Sequence, residues 1–167
     1  MADVSVRPAR PEDAERAARV QLSTWRTAYS DLLPPEVLDV PEEQVAAVWL
    51  RGVEVPPSHR HRLLVAMDGP ELVGLAVSEP VDDATVELTA LIVEPRWGRR
   101  GHGSRLLAAS VDHWRGDGAT HAQTWAWERD DATRSFLESS GWEPDGVARS
   151  LDTGQRQVRL HVSLEES

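Results

Sequence analysis

The chain of 167 residues contains neither cysteine nor lysine, and each absence excludes a kind of chemistry. Without cysteine, the protein has no disulfides, no thiolate nucleophile and no cysteine zinc site. Without lysine, it cannot form a Schiff base on a lysine amine, and it lacks the lysine of the phosphate-binding P-loop. Redox chemistry would therefore need a bound cofactor, and we expect no metal site.

Long hydrophobic runs are also missing. The longest, at 45–50, is far shorter than the roughly 18 residues that a membrane span needs. The first five residues lack the basic and apolar parts of a signal peptide. Because 40% hydrophobic and 28% charged residues are typical of a globular protein, we expect one domain over residues 1–167. We expect that domain to be cytoplasmic and to bind no membrane.

Positive charge is scarce, since 18 basic residues stand against 28 acidic ones and give a net charge of −10. Such a field repels nucleic acids and anionic membranes, and it favours cationic small molecules or basic peptide ends. We therefore expect no nucleic-acid partner. The sequence leaves open whether the protein is a monomer or a homodimer.

The spacing of apolar residues predicts the order β-α-α-β-β-β-α-β-α-β-β. Apolar positions at three- and four-residue steps from Ala14 to Tyr29 predict the first helix, and a second is predicted over 36–51. Residues 85–93 are rich in β-branched side chains and predict a strand. A further helix is predicted to begin near Gly101 and to end at 116–118.

The segment RWGRRGHGSR at 96–105 lies between that strand and that helix, and it holds three glycines and four arginines. Glycines let main-chain N–H groups approach a ligand, and a helix N-terminus attracts anions. The segment therefore predicts an anion site, the alternative being an ordinary glycine turn with solvated arginines. A dinucleotide fingerprint is excluded because Leu106 replaces its third glycine.

The same residues resemble a known family. LIVEP at 91–95 followed by RRGHGS at 99–104 is similar to the acetyl-CoA signature of the GNAT superfamily of N-acetyltransferases, L-x-V-x-P and then Q/R-x-x-G-x-G/A. Downstream, WAWERD, FLE and GW resemble the family's run in which an asparagine precedes F-Y-E-x-x-G-F. The resemblance implies the GNAT fold, a mixed α/β (α+β) architecture with a mostly antiparallel sheet of about seven strands and flanking helices.

The resemblance further implies that acetyl-CoA is the cosubstrate. The strand edge at 91–93 would pair with the pantetheine arm, and the amides of 99–104 would hold the pyrophosphate. Asp130 stands where the family has its asparagine, and Gly98 stands where it usually has glutamine or arginine. The implied cofactor-binding residues are Leu91, Ile92, Val93, Arg99, Arg100, Gly101, His102, Gly103, Ser104 and Asp130.

Glu87 is the candidate general base, because many relatives have a glutamate at the matching position. Strand alternation predicts that it shares a face with Thr89 and Leu91. It is the one ionised residue of its strand and could take a proton from an amine, directly or through water. The alternative is a glutamate on the solvent side or in a structural ion pair.

The family's usual general acid is missing, because Leu137 occupies the position of its tyrosine. Ser135, Ser139 and Tyr29 are possible substitutes, although a tyrosine at helical spacing more often belongs to the core or a pocket wall. A thiol as acidic as that of coenzyme A, comparable with the ~8.5 of cysteine, can also leave without a strong proton donor.

Seven tryptophans stand out against one phenylalanine and one tyrosine. Trp25, Trp49 and Trp114 lie on apolar helical faces and are predicted to be core residues. Trp125 and Trp127 are also most simply core, although one of them could face the acceptor of the acetyl group.

The resemblance thus predicts transfer of an acetyl group from acetyl-CoA to a primary amine of a small molecule or a peptide N-terminus. A cationic acceptor is favoured by the net charge. The alternative hypothesis is a non-catalytic acyl-CoA sensor, which would keep the phosphate loop without the acid and base.

Overall fold

The computed structural model describes residues 3–165, and within them it shows seven strands and five α-helices. The strands are β1 (Val4–Pro8), β2 (Arg62–Asp68), β3 (Glu71–Pro80), β4 (Thr85–Val93), β5 (His121–Trp127), β6 (Glu143–Ser150) and β7 (Arg156–Ser163). The helices are α1 (Ala14–Ala28), α2 (Pro35–Leu38), α3 (Glu42–Glu54), α4 (His102–Gly116) and α5 (Asp131–Ser139). None of these helices is long and apolar enough to cross a bilayer.

All seven strands form one sheet in the order β1-β2-β3-β4-β5-β7-β6. Its neighbours are antiparallel except β4 and β5, which run parallel and are connected through α4. The predicted mixed, mostly antiparallel sheet with flanking helices is therefore confirmed, as is the order of its strands along the chain.

The predicted helix over 36–51 is wrong in its extent, because the chain forms two helices there. The single turn of α2 ends before Pro41, which caps the start of α3 in an extended conformation with ψ 138°. Proline lacks an N–H for the helical ladder and disfavours helical geometry in the residue before it. One proline thus divides the predicted helix.

The sheet has a helical layer on each face. On one face, α4 and α5 cover a core that includes Leu106, Leu137 and Trp142. On the other, α1 and α3 cover a core that includes Trp49 and Leu75. Trp49 and Trp114 are buried as predicted, whereas Trp25 is only half-buried and has a different role, described below.

Candidate active site

Strands β4 and β5 pair over four residues and then diverge. The last pair joins Leu88 to Thr124, whose hydroxyl donates a hydrogen bond of 2.7 Å to the Leu88 carbonyl. Next to it, Thr89 is an extra residue in β4. The adjacent β3 residues Val77 and Ser78 pair with Ala90 and Leu88, so Thr89 has no paired residue in β3. Such a bulge bends its strand, and here it lies where the gap between β4 and β5 opens.

Main-chain groups of β4 face this gap. The Glu94 N–H donates to the Val73 carbonyl of β3 at 2.9 Å. Alternation along the strand then turns the N–H and C=O of Val93 and Leu91 away from β3, toward the side that β5 has left. Ile92 differs, since its main chain is directed at Leu75 of β3. The gap therefore offers the main chain of two of the three residues at 91–93.

The bulge also overturns the predicted position of Glu87 relative to Leu91. Val86 and Leu88 belong to the core beneath α4, and beyond the bulge Leu91 packs against that same core. Glu87 therefore lies on the opposite face from Leu91. The prediction of a shared face is wrong because one extra residue reverses a period of two.

The loop from Gly98 to the start of α4 presents a row of unpaired main-chain donors. The main-chain N–H groups of 99–104 donate no hydrogen bond to any residue within 3–165. The first helical hydrogen bond is donated by the Arg105 N–H to the Gly101 carbonyl at 3.0 Å. Arg99 and Gly101 have left-handed φ values of 61° and 82°. These turns, with the N-terminus of α4, form a concave cluster of N–H groups suited to an anion.

His102 supports this loop from inside the protein. Its ring is buried, with 1% of its surface exposed, and Nε2 donates to Asp68 at 3.1 Å while Nδ1 accepts from Arg105 at 3.1 Å. The same Arg105 nitrogen donates to the Arg100 carbonyl at 2.8 Å. A chain of contacts thus ties the loop to the end of β2. The sequence assigned His102 only a main-chain contact, because its partner is distant along the chain.

Three concave regions along the gap each include Leu91 and Thr133, and one of them extends along the end of α1 to Tyr29 and Asp130. The loop groove, between the loop and α5, is lined by Leu91, Val93, Trp97, Gly98, Arg99, Gly101, His102, Gly103, Ser104, Ala132, Thr133 and Phe136. The tryptophan cavity, with a volume of about 210 Å³, is lined by Trp25, Tyr29, Leu33, Leu88, Thr89, Ala90, Leu91, Ile92, Thr124, Trp125, Ala126, Trp127, Asp130, Thr133, Leu137 and Gln157.

Tyr29 and Asp130 connect the end of α1 with the start of α5. The Tyr29 hydroxyl donates to one Asp130 oxygen at 2.9 Å, and the Thr133 hydroxyl donates to the same oxygen at 2.7 Å. Asp130 also caps α5 by accepting the Thr133 N–H at 3.2 Å. Burial, reinforced by the Asp130 carboxylate, raises the pKa of Tyr29 to about 12. Tyr29 therefore holds its proton firmly and is a weak acid.

The other candidates for a general acid lie outside the cavity. Ser135 is exposed on α5, and Ser139 donates its hydroxyl proton to the Phe136 carbonyl at 2.8 Å. Leu137 does line the cavity, with 2% of its surface exposed, but it carries no proton to donate.

Glu87 is half-buried at the rim of the gap. It lies opposite Glu79 of β3 and Gln123 of β5, and it accepts a hydrogen bond of 2.9 Å from the Gln123 amide. It does not line the tryptophan cavity, although its neighbours Leu88 and Thr89 do. Glu87 is thus one residue away from the cavity wall, with its carboxylate oriented by Gln123.

Three tryptophans for which the sequence favoured the core line the cavity, although Trp25 also packs against the core beneath α1. Trp25, Trp125 and Trp127 are half-buried there. The guanidinium of Arg149 lies 4.0 Å from the centre of the Trp125 ring. The prediction failed because helical and strand periodicity identify an inward face without showing whether protein or empty space lies opposite.

Comparison with known proteins gives one family. A model described as "Acetyltransferase (GNAT) family" matches residues 22–142. Mycothiol acetyltransferase of Mycobacterium sp. strain JLS is 29% identical over an alignment of 134 residues that covers 76% of this chain and 42% of that protein. A probable N-acetyltransferase of Mycobacterium tuberculosis, Rv2775, is 23% identical over an alignment of 150 residues that covers 86% of this chain and 82% of that protein. The chain thus spans less than half the length of the mycothiol enzyme.

Solved structures share the fold. PaiA N-acetyltransferase from Thermoplasma acidophilum, in complex with coenzyme A, has a TM-score of 0.78 at 17% identity and covers 94% of this chain and 98% of its own. YncA of Salmonella typhimurium, described as a putative acetyltransferase with its cofactor acetyl-CoA, has a TM-score of 0.74 at 17% identity, with 98% and 95% covered.

Proposed function

Because the chain belongs to the acetyltransferase (GNAT) family, we propose that it transfers the acetyl group of acetyl-CoA to a primary amine. The observation that carries this proposal is the continuity of unpaired main-chain groups. Leu91 and Val93 face the gap, and the N–H groups of 99–104 follow along the same groove. A site of this kind fits a ligand with an amide-containing arm and a pyrophosphate at its end.

The two parts of the groove suit the two parts of coenzyme A. The amides of the pantetheine arm would bind Leu91 and Val93 as an added strand does at a sheet edge. The pyrophosphate would accept hydrogen bonds from the N–H groups of 99–104 at the start of α4. The exposed Arg99 and Arg100 add positive charge to a chain of net charge −10. Both contacts use the main chain, so the departure at Gly98 removes only side-chain help.

Bound acetyl-CoA supplies an acetyl thioester, and direct transfer forms one C–N bond while the C–S bond breaks. Glu87 would accept the proton that the attacking amine releases, through a water because the carboxylate lies at the rim. The N–H of Leu91, which faces the gap, would donate to the thioester oxygen as negative charge develops on it. The sulfur would leave as a thiolate.

No strong acid is needed for that last step. Leu137 has no proton to give, and the raised pKa of Tyr29 holds its proton in place. Because the pKa of an ordinary thiol is roughly 8.5, a thiolate is an adequate leaving group near neutral pH. The missing acid is also the one feature that favours the alternative of an acyl-CoA sensor without turnover.

Thermal denaturation and turnover separate these possibilities. We expect acetyl-CoA to raise the melting temperature, while NADH and ATP at equal concentration do not, because the groove lacks P-loop and Rossmann features. Release of free thiol from acetyl-CoA should depend on an added amine. Equal shifts with all three ligands would refute the cofactor site, and a selective shift without amine-dependent thiol release would identify a sensor.

We further propose that residues 1–167 act as one N-acetyltransferase domain in the cytoplasm. Neither assignment depends on the identity of the acceptor. A small-molecule amine and a peptide N-terminus both remain compatible with the gap.

A further inference from the structure

The tryptophan cavity points to the kind of acceptor. We propose that the acceptor is a primary amine carried on a flat, apolar body such as an aryl group, which binds in this cavity with its amine directed at Leu91. This inference rests on the proposed function. It concerns the side of the gap away from the phosphate loop, where side chains decide what binds.

Aromatic residues are prominent in the cavity wall. Four of its side chains are aromatic rings, and they come from the end of α1 and from β5: Trp25, Tyr29, Trp125 and Trp127. Most of the remaining residues that line it are leucine, isoleucine or alanine, and polar groups of the protein also reach its surface. Four aromatic rings in one wall favour a flat apolar ligand, through area burial and through stacked or edge-to-face contacts.

Several polar side chains of the wall already have partners. The Thr89 hydroxyl donates to the Val77 carbonyl at 3.1 Å, and the Thr124 hydroxyl donates to the Leu88 carbonyl. Gln157 accepts from Arg149 at 2.8 Å. Their hydrogen-bonding capacity is directed mainly at the protein. An acceptor with several polar groups would therefore lose hydration without regaining equivalent bonds.

Among the described residues, the cavity wall holds a single carboxylate that could meet a second cation. Asp130 is the one acidic residue of its wall, and it accepts three hydrogen bonds from Tyr29 and Thr133. Tryptophan rings attract cations, but a second ammonium group would have to share the Asp130 carboxylate with Tyr29 and Thr133, which already bind it. The net charge of −10 thus acts at long range, whereas the wall itself disfavours a polyamine.

A panel of amines tests the assignment on the intact protein with acetyl-CoA. We expect kcat/KM for 2-phenylethylamine to exceed that for ethylamine by about 10- to 100-fold, because the aryl group adds the apolar area that the cavity buries. Spermidine should be no better than ethylamine. A preference for spermidine, or equal values for ethylamine and 2-phenylethylamine, would overturn the proposal.

Variants of Trp127 place the effect in the cavity. Trp127→Ala should remove at least tenfold of the aryl preference, and Trp127→Phe should retain most of it because a flat ring remains. The matched control is His161→Ala, an exposed residue of β7 that does not line the cavity, and it should preserve the preference. An unchanged preference in Trp127→Ala, with a preserved melting temperature, would overturn the assignment.

A binding measurement separates this inference from the proposed function. Equilibrium dialysis of 2-phenylethylamine and spermidine against the protein saturated with coenzyme A needs no turnover. Aryl-selective binding without acetylation would support the cavity assignment and overturn the transferase. Acetylation with a preference for spermidine would support the transferase and overturn the cavity assignment. Absence of selective aryl binding would overturn the inference even if amines are acetylated.

Discussion

The loop groove and the tryptophan cavity lie on either side of one gap, yet they present different chemical groups to a ligand. The loop groove offers main-chain N–H groups from a continuous stretch of chain, 99–104, together with two residues of β4. The tryptophan cavity is lined by residues of α1, β4, β5, α5 and β7, which are far apart in the chain. Main-chain recognition tolerates changes of side chain, whereas a side-chain cavity sets specificity residue by residue. The comparison therefore predicts that variants on the two sides will fail in different ways.

The largest effect should come from Glu87→Gln, which keeps the shape of the side chain and removes its basicity. We expect kcat/KM to fall by roughly 10²- to 10⁴-fold near neutral pH, while the affinity for coenzyme A is nearly unchanged. The loss should shrink at high pH, where solvent removes the proton from the amine. Rate profiles against pH, with cofactor titrations beside them, measure both quantities. A variant with wild-type activity across the whole range would show that Glu87 is not the base.

A somewhat smaller effect is expected on the groove side from Gly103→Leu. A Cβ at Gly103 would lie 3.6 Å from the Phe136 ring, which is ordinary contact, so the fold should tolerate the change while the larger side chain fills the groove. We expect the Kd for coenzyme A to rise by about 100-fold, corresponding to roughly 2.7 kcal/mol.

The matched control is Gly116→Leu in the same helix, where nothing lies within 4 Å of a new Cβ. Calorimetric titration of both variants with coenzyme A compares them. Equal affinities would place the cofactor elsewhere. Gly101 makes a poorer test, because its φ of 82° strains the backbone of any substituted residue.

His102→Ala should weaken cofactor binding in the loop groove less than Gly103→Leu does, because it removes support for the loop and leaves the groove itself open. Without the ring, Arg105 loses the acceptor that orients it toward the Arg100 carbonyl, and Asp68 loses its donor. We expect the KM for acetyl-CoA to rise by about 3- to 10-fold with little change in kcat, since the amides are less ordered before binding.

His102→Gln, which can keep one of the two hydrogen bonds, should recover part of this loss. Steady-state kinetics at varied acetyl-CoA would measure it, with melting temperatures recorded for both variants. A fall in kcat at unchanged KM would contradict a positioning role.

The smallest effect is expected from Tyr29→Phe in the wall of the cavity. Because burial and Asp130 raise the pKa of Tyr29 to about 12, its hydroxyl stays protonated at pH 10 and below. We expect kcat/KM to change by less than about threefold and the alkaline limb of the pH profile to keep its position, since Asp130 retains Thr133 as a donor. A 100-fold loss of kcat with a shifted alkaline limb would make Tyr29 the general acid.

The order of the strands, the main helices and the position of the glycine-rich loop before α4 could be predicted from the sequence. The signals used were local: hydrophobic periods of 2 and 3.6 residues, and the glycines at 98–103. A ligand site made of main-chain N–H groups depends mainly on such local backbone geometry. The helix break at Pro41 is marked by a local signal too. It could also have been predicted, because a proline at that point favours the start of a helix rather than its middle.

The candidate site itself was decided by the tertiary structure. A single bulge at Thr89 reversed the face on which Leu91 lies relative to Glu87, and no sequence period shows an extra residue. Tyr29 meets Asp130 across 101 positions of the chain, and His102 meets Asp68 across 34. Local spacing therefore determined where acetyl-CoA is expected to bind. What faces the amine was set by long-range packing, because strands that diverge leave a space whose walls come from segments far apart in the chain.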